Sequence, residues 1–215
     1  MSVESAAAAC QSGRVRIQVL STQPDLSPTK RVEVTTWYLE MLQQSELRAV
    51  ECPRADVRVE RAAIPSPELS RFLYSAVGGH WYWLDRLSWD YARWRDYLDR
   101  AAVDTLVLYV SGTPAGYIEL EAQADDNIEI AYFGLLPAFT GQRLGGYLLS
   151  EGVAHAWANG ARRVWVHTCN LDGPMALANY QARGFRVYDQ RFQWQYLPLI
   201  PPGPWPGAGA PPPAV

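Results

Sequence analysis

Apolar residues along this chain follow two spacings, one typical of strands and one typical of helices. Alternation with a period of two predicts strands at residues 56–61, 105–110, 115–121, 128–133 and 163–168. Recurrence every three or four residues predicts helices at residues 66–77, 90–100, 144–157 and 174–183. Glycine, proline and asparagine separate these segments and favour turns between them. From residue 56 onward, the predicted order of elements is therefore β-α-α-β-β-β-α-β-α.

Residues 128–185 carry the densest set of these signals. Ile128, Ile130 and Tyr132 alternate with Glu129, which predicts a strand with the Glu129 carboxylate on its opposite face. The glycine-containing turn at residues 140–146 leads directly into a helix. The first turn of a helix offers unpaired N–H groups and the positive end of its dipole, so this junction predicts an anion site suited to phosphate. Because strand, helix, strand and helix follow in order, we expect the two strands to be parallel.

The two ends of the chain differ from its middle. Residues 1–13 show no periodic pattern and predict a flexible tail, and the proline-rich residues 200–215 predict a disordered one. Between the tails, residues 14–199 predict a single domain, with residues 185–196 completing its sheet. Two alternating runs near residues 15–19 and 32–36 flank turn residues. We interpret them as a hairpin within an N-terminal extension over residues 14–50.

Composition narrows the class of protein. The 215 residues are 48% hydrophobic and 19% charged, which is typical of a soluble globular protein. The net charge of -3 and the pI near 5.6 argue against a general nucleic-acid binder. No apolar run approaches about 18 residues, so we expect no membrane span and no membrane partner. The three cysteines are far apart and predict neither a disulfide framework nor a zinc site, which favours a cytoplasmic location.

Three features of residues 128–185 together resemble the GNAT superfamily of acyl-CoA-dependent N-acyltransferases. They are Glu129-Ile130 leading to Pro137, the glycine turn running into Leu148-Leu149, and residues 179–185, which resemble the family's Tyr-x-x-x-Gly-Phe signature. Their order and spacing are more specific than any one of them. The turn departs from the family pattern, because Thr140 stands where Gln or Arg is usual and Arg143 where Gly is usual, whereas Gly145 agrees.

The resemblance implies an α/β (α+β) fold of the GNAT type. Its central sheet is mixed and mostly antiparallel, with one parallel pair of strands that splay apart and helices on both faces. Residues 127–185 correspond to the acyl-CoA-binding core, and acetyl-CoA is the implied cosubstrate, with no metal. By resemblance, the cofactor contacts fall on Phe133, Leu135, Gly141, Gln142, Arg143, Leu144, Gly145, Gly146 and Asn170.

The resemblance also implies a set of catalytic residues. Tyr180 occupies the position where many members of the family have a general acid. An unshifted phenol is protonated at neutral pH, so it can donate a proton to the departing CoA thiolate. Glu129 is the leading candidate for the base, acting directly or through water, and Glu119 and Glu121 compete for that role. The alternative for Tyr180 is a core tyrosine with a satisfied hydroxyl group. His167 fits either an orienting group or a structural histidine.

The acceptor is less well defined by the sequence. Residues 79–89 hold three tryptophans with Asp85, a set that can bind an amine by cation–π and charge contacts or can pack a helix on the sheet. We expect transfer of an acetyl group to a primary amine of a small molecule or peptide, by a protein that is a possible homodimer. The alternatives are a catalytically inactive acyl-CoA-binding sensor, favoured by Thr140 and Arg143, and an interaction module with an aromatic partner surface.

Overall fold

Seven strands form one sheet in the computed structural model, which describes residues 28–204. The strands are β1 Thr29–Met41, β2 Val57–Arg61, β3 Val103–Val110, β4 Thr113–Ala122, β5 Asn127–Leu135, β6 Arg163–Cys169 and β7 Arg186–Pro198. Their order across the sheet is β2-β3-β4-β5-β6-β1-β7. All neighbours are antiparallel except β5 and β6, which are parallel. The predicted mixed, mostly antiparallel sheet with one parallel pair is confirmed.

The helices are α1 Pro67–Gly78, α2 Tyr91–Leu98, α3 Leu144–Ala158 and α4 Ala176–Ala182. Ser66 Oγ accepts a hydrogen bond from the N–H of Leu69, and the Asp90 carboxylate accepts one from the N–H of Arg93. These caps start α1 and α2 where the sequence predicts. The predicted start of α4 at residue 174 is two residues early. None of the helices within residues 28–204 is long and apolar enough to cross a bilayer.

Helices cover both faces of the sheet, as predicted. On one face, α3 and α4 bury Leu148 and Tyr180 against strand residues such as Ile130. On the other, α1 buries Leu73 against Tyr117 of β4. Strands β3, β4 and β5 therefore contribute residues to cores on both faces of the sheet, so β5 is packed from both sides.

Strand β1 lies between β6 and β7, which the sequence did not predict. Its residues Thr36–Met41 pair with β6, and its residues Thr29–Glu40 pair with β7. The predicted hairpin partner, residues 15–19, lies outside the described residues. Within the N-terminal extension predicted over residues 14–50, β1 is an integral strand of the sheet, because it joins the last strand to the rest.

A bulge interrupts β5 at Ala131. Ile130 is paired with Leu120 and Tyr132 with Glu119, so Ala131 has no partner on β4. An extra residue reverses the alternation of side chains beyond it. Ile130 packs with the α3 core and Tyr132 with the α1 core, so the prediction that the two share a face is wrong.

The described chain packs against the domain beyond the predicted boundary at residue 199. Gly203 is buried, and its N–H donates to the carbonyl of Gly79 at the end of α1. The predicted disordered tail therefore begins too early. Residues 1–13 and the last part of the proline-rich segment lie outside residues 28–204, so the tails predicted there remain predictions.

Candidate active site

A cleft opens where β5 and β6 separate. The two strands pair from Asn127 and Arg163 to Ile130 and Val166, and then diverge. Beyond that point, the β6-facing edge of β5 has no strand partner among the described strands. A cavity of about 1220 Å³ occupies the gap. The bulge at Ala131 lies at the point of divergence, which explains why the pairing stops there.

The glycine turn forms one end of this cleft. Gly141 (φ 76°) and Arg143 (φ 62°) adopt left-handed conformations immediately before α3. Arg143 caps α3 without a side-chain hydrogen bond, and the turn residues Thr140, Gly141, Arg143, Leu144, Gly145 and Gly146 line the cleft. A left-handed arginine costs about 1–2 kcal/mol more than a glycine would. Arg143, which stands where the family pattern has glycine, thus keeps the backbone conformation of a glycine turn at a cost in free energy.

Two predicted cofactor residues point elsewhere. The Gln142 side chain accepts from Arg54 Nη1 at 3.1 Å and donates to the carbonyl of Ala138, and Gln142 does not line the cleft. Asn170 also lies outside the lining. Its Oδ1 accepts from the Thr35 N–H, and its Nδ2 donates to the carbonyl of Glu33. The Asn170 amide therefore fastens the end of β6 to β1 and is engaged there.

Asn179 lines the cleft, although the sequence analysis did not select it. Its side chain lies beside the start of α3, within 3.8 Å of where a Cβ of Gly145 would be. The available signal was its position, directly before Tyr180 in the signature segment. Phe133 and Leu135 also line the cleft, as predicted.

Tyr180 lies inside the cleft on α4. Its ring packs between Phe133 and Phe185, with ring centroids 5.8 Å and 6.0 Å away. Burial raises the pKa of Tyr180 well above its ordinary value, and the negative charge of Asp172 acts in the same direction. The phenol therefore keeps its proton at neutral pH, as a general acid must.

Glu129 reaches the cleft only through a neighbour. Its carboxylate accepts a hydrogen bond from Gln123 Nε2 at 2.7 Å, and its Oε1 lies 3.4 Å from His167 Nδ1. Glu129 is not among the lining residues, whereas His167 is. The structure thus places the predicted base behind a histidine that faces the cleft.

The two competing carboxylates are occupied by ion pairs. Glu119 is 1% exposed, lies 2.9 Å from Arg86 Nη1 and accepts a hydrogen bond from the Tyr97 hydroxyl. Glu121 accepts from the same hydroxyl and pairs with Arg100 at 2.8 Å. Neither carboxylate lines the cleft. Both are held by partners within the protein and are not placed to contact a substrate.

The tryptophan-rich segment is divided between the cleft and the core. Trp81 and Trp83 line the cleft together with Asp85. Trp83 also packs against the buried ring of Tyr74, at a centroid distance of 5.5 Å. Trp89 instead lies over the Arg86 guanidinium, 4.7 Å from ring centroid to Cζ. One part of the segment is therefore a cleft wall, and the other is core packing.

Cys169 lines the cleft as a neutral thiol. Burial, together with the nearby Asp172 carboxylate, raises its pKa to about 11. A thiol with that pKa has almost no nucleophilic thiolate at neutral pH. Cys52 and Cys169 are both free. Among residues 28–204, no three His, Cys, Asp or Glu side chains come together as potential metal ligands.

The sequence and the fold are similar to those of known acetyltransferases. The sequence profile of the acetyltransferase (GNAT) family matches residues 68–185. A mycothiol acetyltransferase from Corynebacterium efficiens is 29% identical over 123 residues, which are 54% of this chain and 40% of that protein.

Solved structures agree on the fold. A GCN5-related N-acetyltransferase from Kribbella flavida superposes with a TM-score of 0.56 at 20% identity, covering 74% of this chain and 57% of the other. One from Sphaerobacter thermophilus gives 0.60 at 16% identity, covering 79% and 52%. The chain spans roughly half the length of these relatives. Since the family profile covers more than half of the chain, this protein belongs to the GNAT family of acetyltransferases.

Proposed function

We propose that this protein transfers an acetyl group from acetyl-CoA to a primary amine of a small molecule or peptide. The observation that carries the proposal is the divergence of β5 and β6 beyond Ile130 and Val166. This divergence leaves a polar strand edge open inside the cleft. The glycine turn closes one end of that cleft, and Tyr180 lies within it.

The residues present fit an acyl-CoA. The open edge of β5 at Phe133 and Leu135 offers backbone N–H and C=O groups to the amides of the pantetheine arm. The start of α3 offers N–H groups and a positive dipole end to the pyrophosphate. Arg183 Nη1 lies against Gly146, in the space that a Cβ there would need. The Arg183 guanidinium therefore places a positive charge beside the turn. Arg183 Nε is buried without a hydrogen-bond partner in the described part of the chain.

The chemistry follows from the groups around the cleft. Acetyl-CoA supplies the thioester whose acetyl group is transferred. Tyr180 holds a proton for the departing sulfur, because burial keeps its phenol protonated at neutral pH. The amine attacks the thioester directly, since Cys169 is held as a thiol and is unsuited to form an acyl-enzyme.

The cleft favours an acceptor that carries positive charge. Asp85 and Asp172 contribute carboxylates to its lining, and Trp81, Trp83 and Tyr38 contribute aromatic faces. Acidic groups and aromatic faces both attract an ammonium ion. We therefore propose a cationic primary amine, in place of a nucleic acid or a membrane component.

A melting experiment with cofactor tests the proposal first. Acetyl-CoA at a hundred times its dissociation constant is expected to stabilise the fold by about 2.7 kcal/mol, a rise of a few degrees. CoA is expected to act similarly, and ATP is not. Gly145→Asp places a negative charge in the turn, where a Cβ has no neighbour closer than 3.7 Å, so it is expected to fold but to lose the shift. Ala154→Asp, on the exposed side of the same helix, is the matched control.

The outcomes separate the alternatives. A shift followed by release of CoA thiol with an amine from a broad panel supports the enzyme. A shift without turnover on any amine favours the acyl-CoA sensor, which the unusual Thr140 and Arg143 motivate. Absence of any shift in melting temperature at millimolar acetyl-CoA contradicts both the enzyme and the acyl-CoA sensor, and favours an interaction module with an aromatic partner surface.

We further propose that the protein acts in the cytoplasm and forms a homodimer. Free thiols at Cys52 and Cys169 suit a reducing compartment. Cell fractionation tests the location, and light scattering of the purified protein tests the assembly state. A secreted protein with oxidised cysteines would contradict the first part of this proposal, and a monomer at all concentrations would contradict the second.

A further inference from the structure

His167 occupies a special position on β6. It directly follows Val166, the last residue of β6 that pairs with β5, so it stands at the inner corner where the cleft begins. Its side chain is about half exposed, whereas Val166 and Thr168 on either side are buried in the opposite face. A histidine in this position faces the cleft from the side of the aromatic wall.

A chain of polar contacts holds the imidazole from behind. Trp165 Nε1 donates to Gln123 Oε1 at 3.1 Å, and Gln123 Nε2 donates to Glu129 Oε2 at 2.7 Å. Glu129 Oε1 then lies 3.4 Å from His167 Nδ1. The Glu129 side chain is only 15% exposed, so its carboxylate has little solvent to turn toward. The contact favours the tautomer that carries its proton on Nδ1, which leaves the lone pair of Nε2 for a substrate.

We propose that His167 is the base that accepts a proton from the acceptor amine at Nε2, and that Glu129 is a positioning residue acting through His167. This inference rests on the proposed acyl transfer and names the group that prepares the nucleophile. It also explains why Glu129, which the sequence signals favoured as the base, lies outside the cleft lining.

The groups around His167 determine its charge. Contact with the Glu129 carboxylate of β5 raises the pKa of His167, burial lowers it, and the charges of Asp172 and Asp85 raise it further, for a net upward shift. From β1, the Tyr38 ring lies 5.9 Å away, and it carries the Arg191 guanidinium of β7 on its face. A histidine with a raised pKa is a stronger base, but only its neutral form can accept a proton.

The protons balance across the two faces of the sheet. Neutral His167 removes one proton from the acceptor ammonium, and the freed lone pair forms the C–N bond as the C–S bond breaks. Tyr180, which lies in the α3 core on the opposite face, gives its proton to the departing sulfur. The nitrogen of the new amide loses a second proton to solvent, solvent returns one to Tyr180, and His167 releases its proton to solvent. The net products are an amide, CoA thiol and one proton.

Imidazole NMR of the unliganded protein tests the pairing without any turnover. The chain has three histidines, so 13C-labelled histidine gives three titration curves, and His167→Gln identifies the curve that belongs to His167. Glu129→Gln is expected to shift that curve to lower pH and to leave the other two in place. An unchanged His167 curve in Glu129→Gln would overturn the pairing.

The pH dependence of kcat/KM tests the catalytic role. In the unmodified protein, activity is expected to rise with pH through the pKa that NMR assigns to His167. His167→Gln is expected to lower kcat/KM by about 100-fold or more and to remove that rise, while acetyl-CoA still raises the melting temperature. Glu129→Gln is expected to move the rise to lower pH together with the NMR curve.

His155→Gln provides the matched control. His155 also contacts a carboxylate, with its Nε2 2.9 Å from Asp104 Oδ2, but it does not line the cleft. Its replacement is expected to leave the pH profile unchanged. The inference would be overturned if kcat/KM of His167→Gln still rose fully with pH while Glu129→Gln lost that rise. Glu129 would then be the base. Failure of acetyl-CoA to bind the unmodified protein would instead refute the proposed function, and the NMR result would still stand.

Discussion

Replacing Arg86 by methionine removes the positive charge from an ion pair that is almost completely shielded from water. Arg86 and Glu119 are 6% and 1% exposed at their side chains, with Nη1 and Oε1 2.9 Å apart. Four aromatic rings surround the guanidinium, at centroid distances of 4.0 to 5.6 Å: Trp89, Trp94, Tyr97 and Tyr132. In the variant, Glu119 keeps only its hydrogen bond from the Tyr97 hydroxyl.

The expected loss of unfolding free energy is about 3–5 kcal/mol, because breaking a buried pair leaves an uncompensated charge. A domain of this length loses roughly 2–4 °C of melting temperature per kcal/mol, so the midpoint is expected to fall by roughly 10 °C. Replacing both residues, as in Arg86→Met with Glu119→Leu, removes the stranded carboxylate. The double variant is therefore expected to lose much less stability than the sum of the two single variants.

Urea denaturation followed by circular dichroism measures these differences. Arg95→Met is the control, since Arg95 pairs with Asp99 on the surface and exposed pairs contribute about 0–1 kcal/mol. A loss in Arg86→Met as small as that in Arg95→Met would refute the argument. Unchanged stability in Glu119→Gln together with abolished turnover would also refute it, by showing that Glu119 is the base after all.

Three further predictions concern the cleft and its supports. Tyr180→Phe is expected to lower kcat by at least about tenfold while leaving CoA affinity nearly unchanged, and equal turnover would remove Tyr180 from the mechanism. Cys169→Ser is expected to retain turnover, because a thiol whose pKa is raised to about 11 takes no part as a nucleophile at neutral pH; abolished turnover with intact folding would reinstate an acyl-cysteine. Gly184→Ala is expected to lower the melting temperature by several degrees, because Gly184 has a φ of 105° and a Cβ there would overlap the Glu46 carbonyl oxygen; an unchanged melting curve would show that the turn relaxes freely.

The order of elements was predictable because it depends on local signals. Ser66 and Asp90 identify helix starts through their own side-chain chemistry, and they cap α1 and α2 as expected. The glycine turn could likewise be located, since Gly141 and Gly145 are sequence features in their own right. Signals of this kind are complete within a few residues, so one sequence contains them fully.

Pairing over long distances was not predictable in the same way. Thr36 of β1 is paired with Cys169 of β6, and nothing in the period-two pattern of either strand specifies its partner. The bulge at Ala131 also depends on β4, since it appears only as an offset between Glu119 and Tyr132. Side-chain direction beyond the bulge was therefore wrong in the sequence analysis.

The site residues divide along the same line. Tyr180 and Arg143 lie in the cleft as predicted, and their positions within local motifs were sufficient to place them there. Asn170 was predicted to contact the cofactor, but its amide forms hydrogen bonds with β1, a partner that the neighbouring sequence does not reveal. The role proposed for His167 depends on its contact with Glu129, which the sequence does not reveal.

The place of β1 in the sheet has a consequence for synthesis of the protein. The ribosome makes β1 first among the described strands, but its partners on β6 and β7 follow more than a hundred residues later. At about 5–20 residues per second, this strand waits roughly ten seconds with both of its hydrogen-bonding edges unpaired. Throughout that time β1 presents Val32, Val34 and Trp37 to other chains in the cell. Chaperone binding to the nascent chain is therefore expected to concentrate on β1, and to end only when β7 has been made.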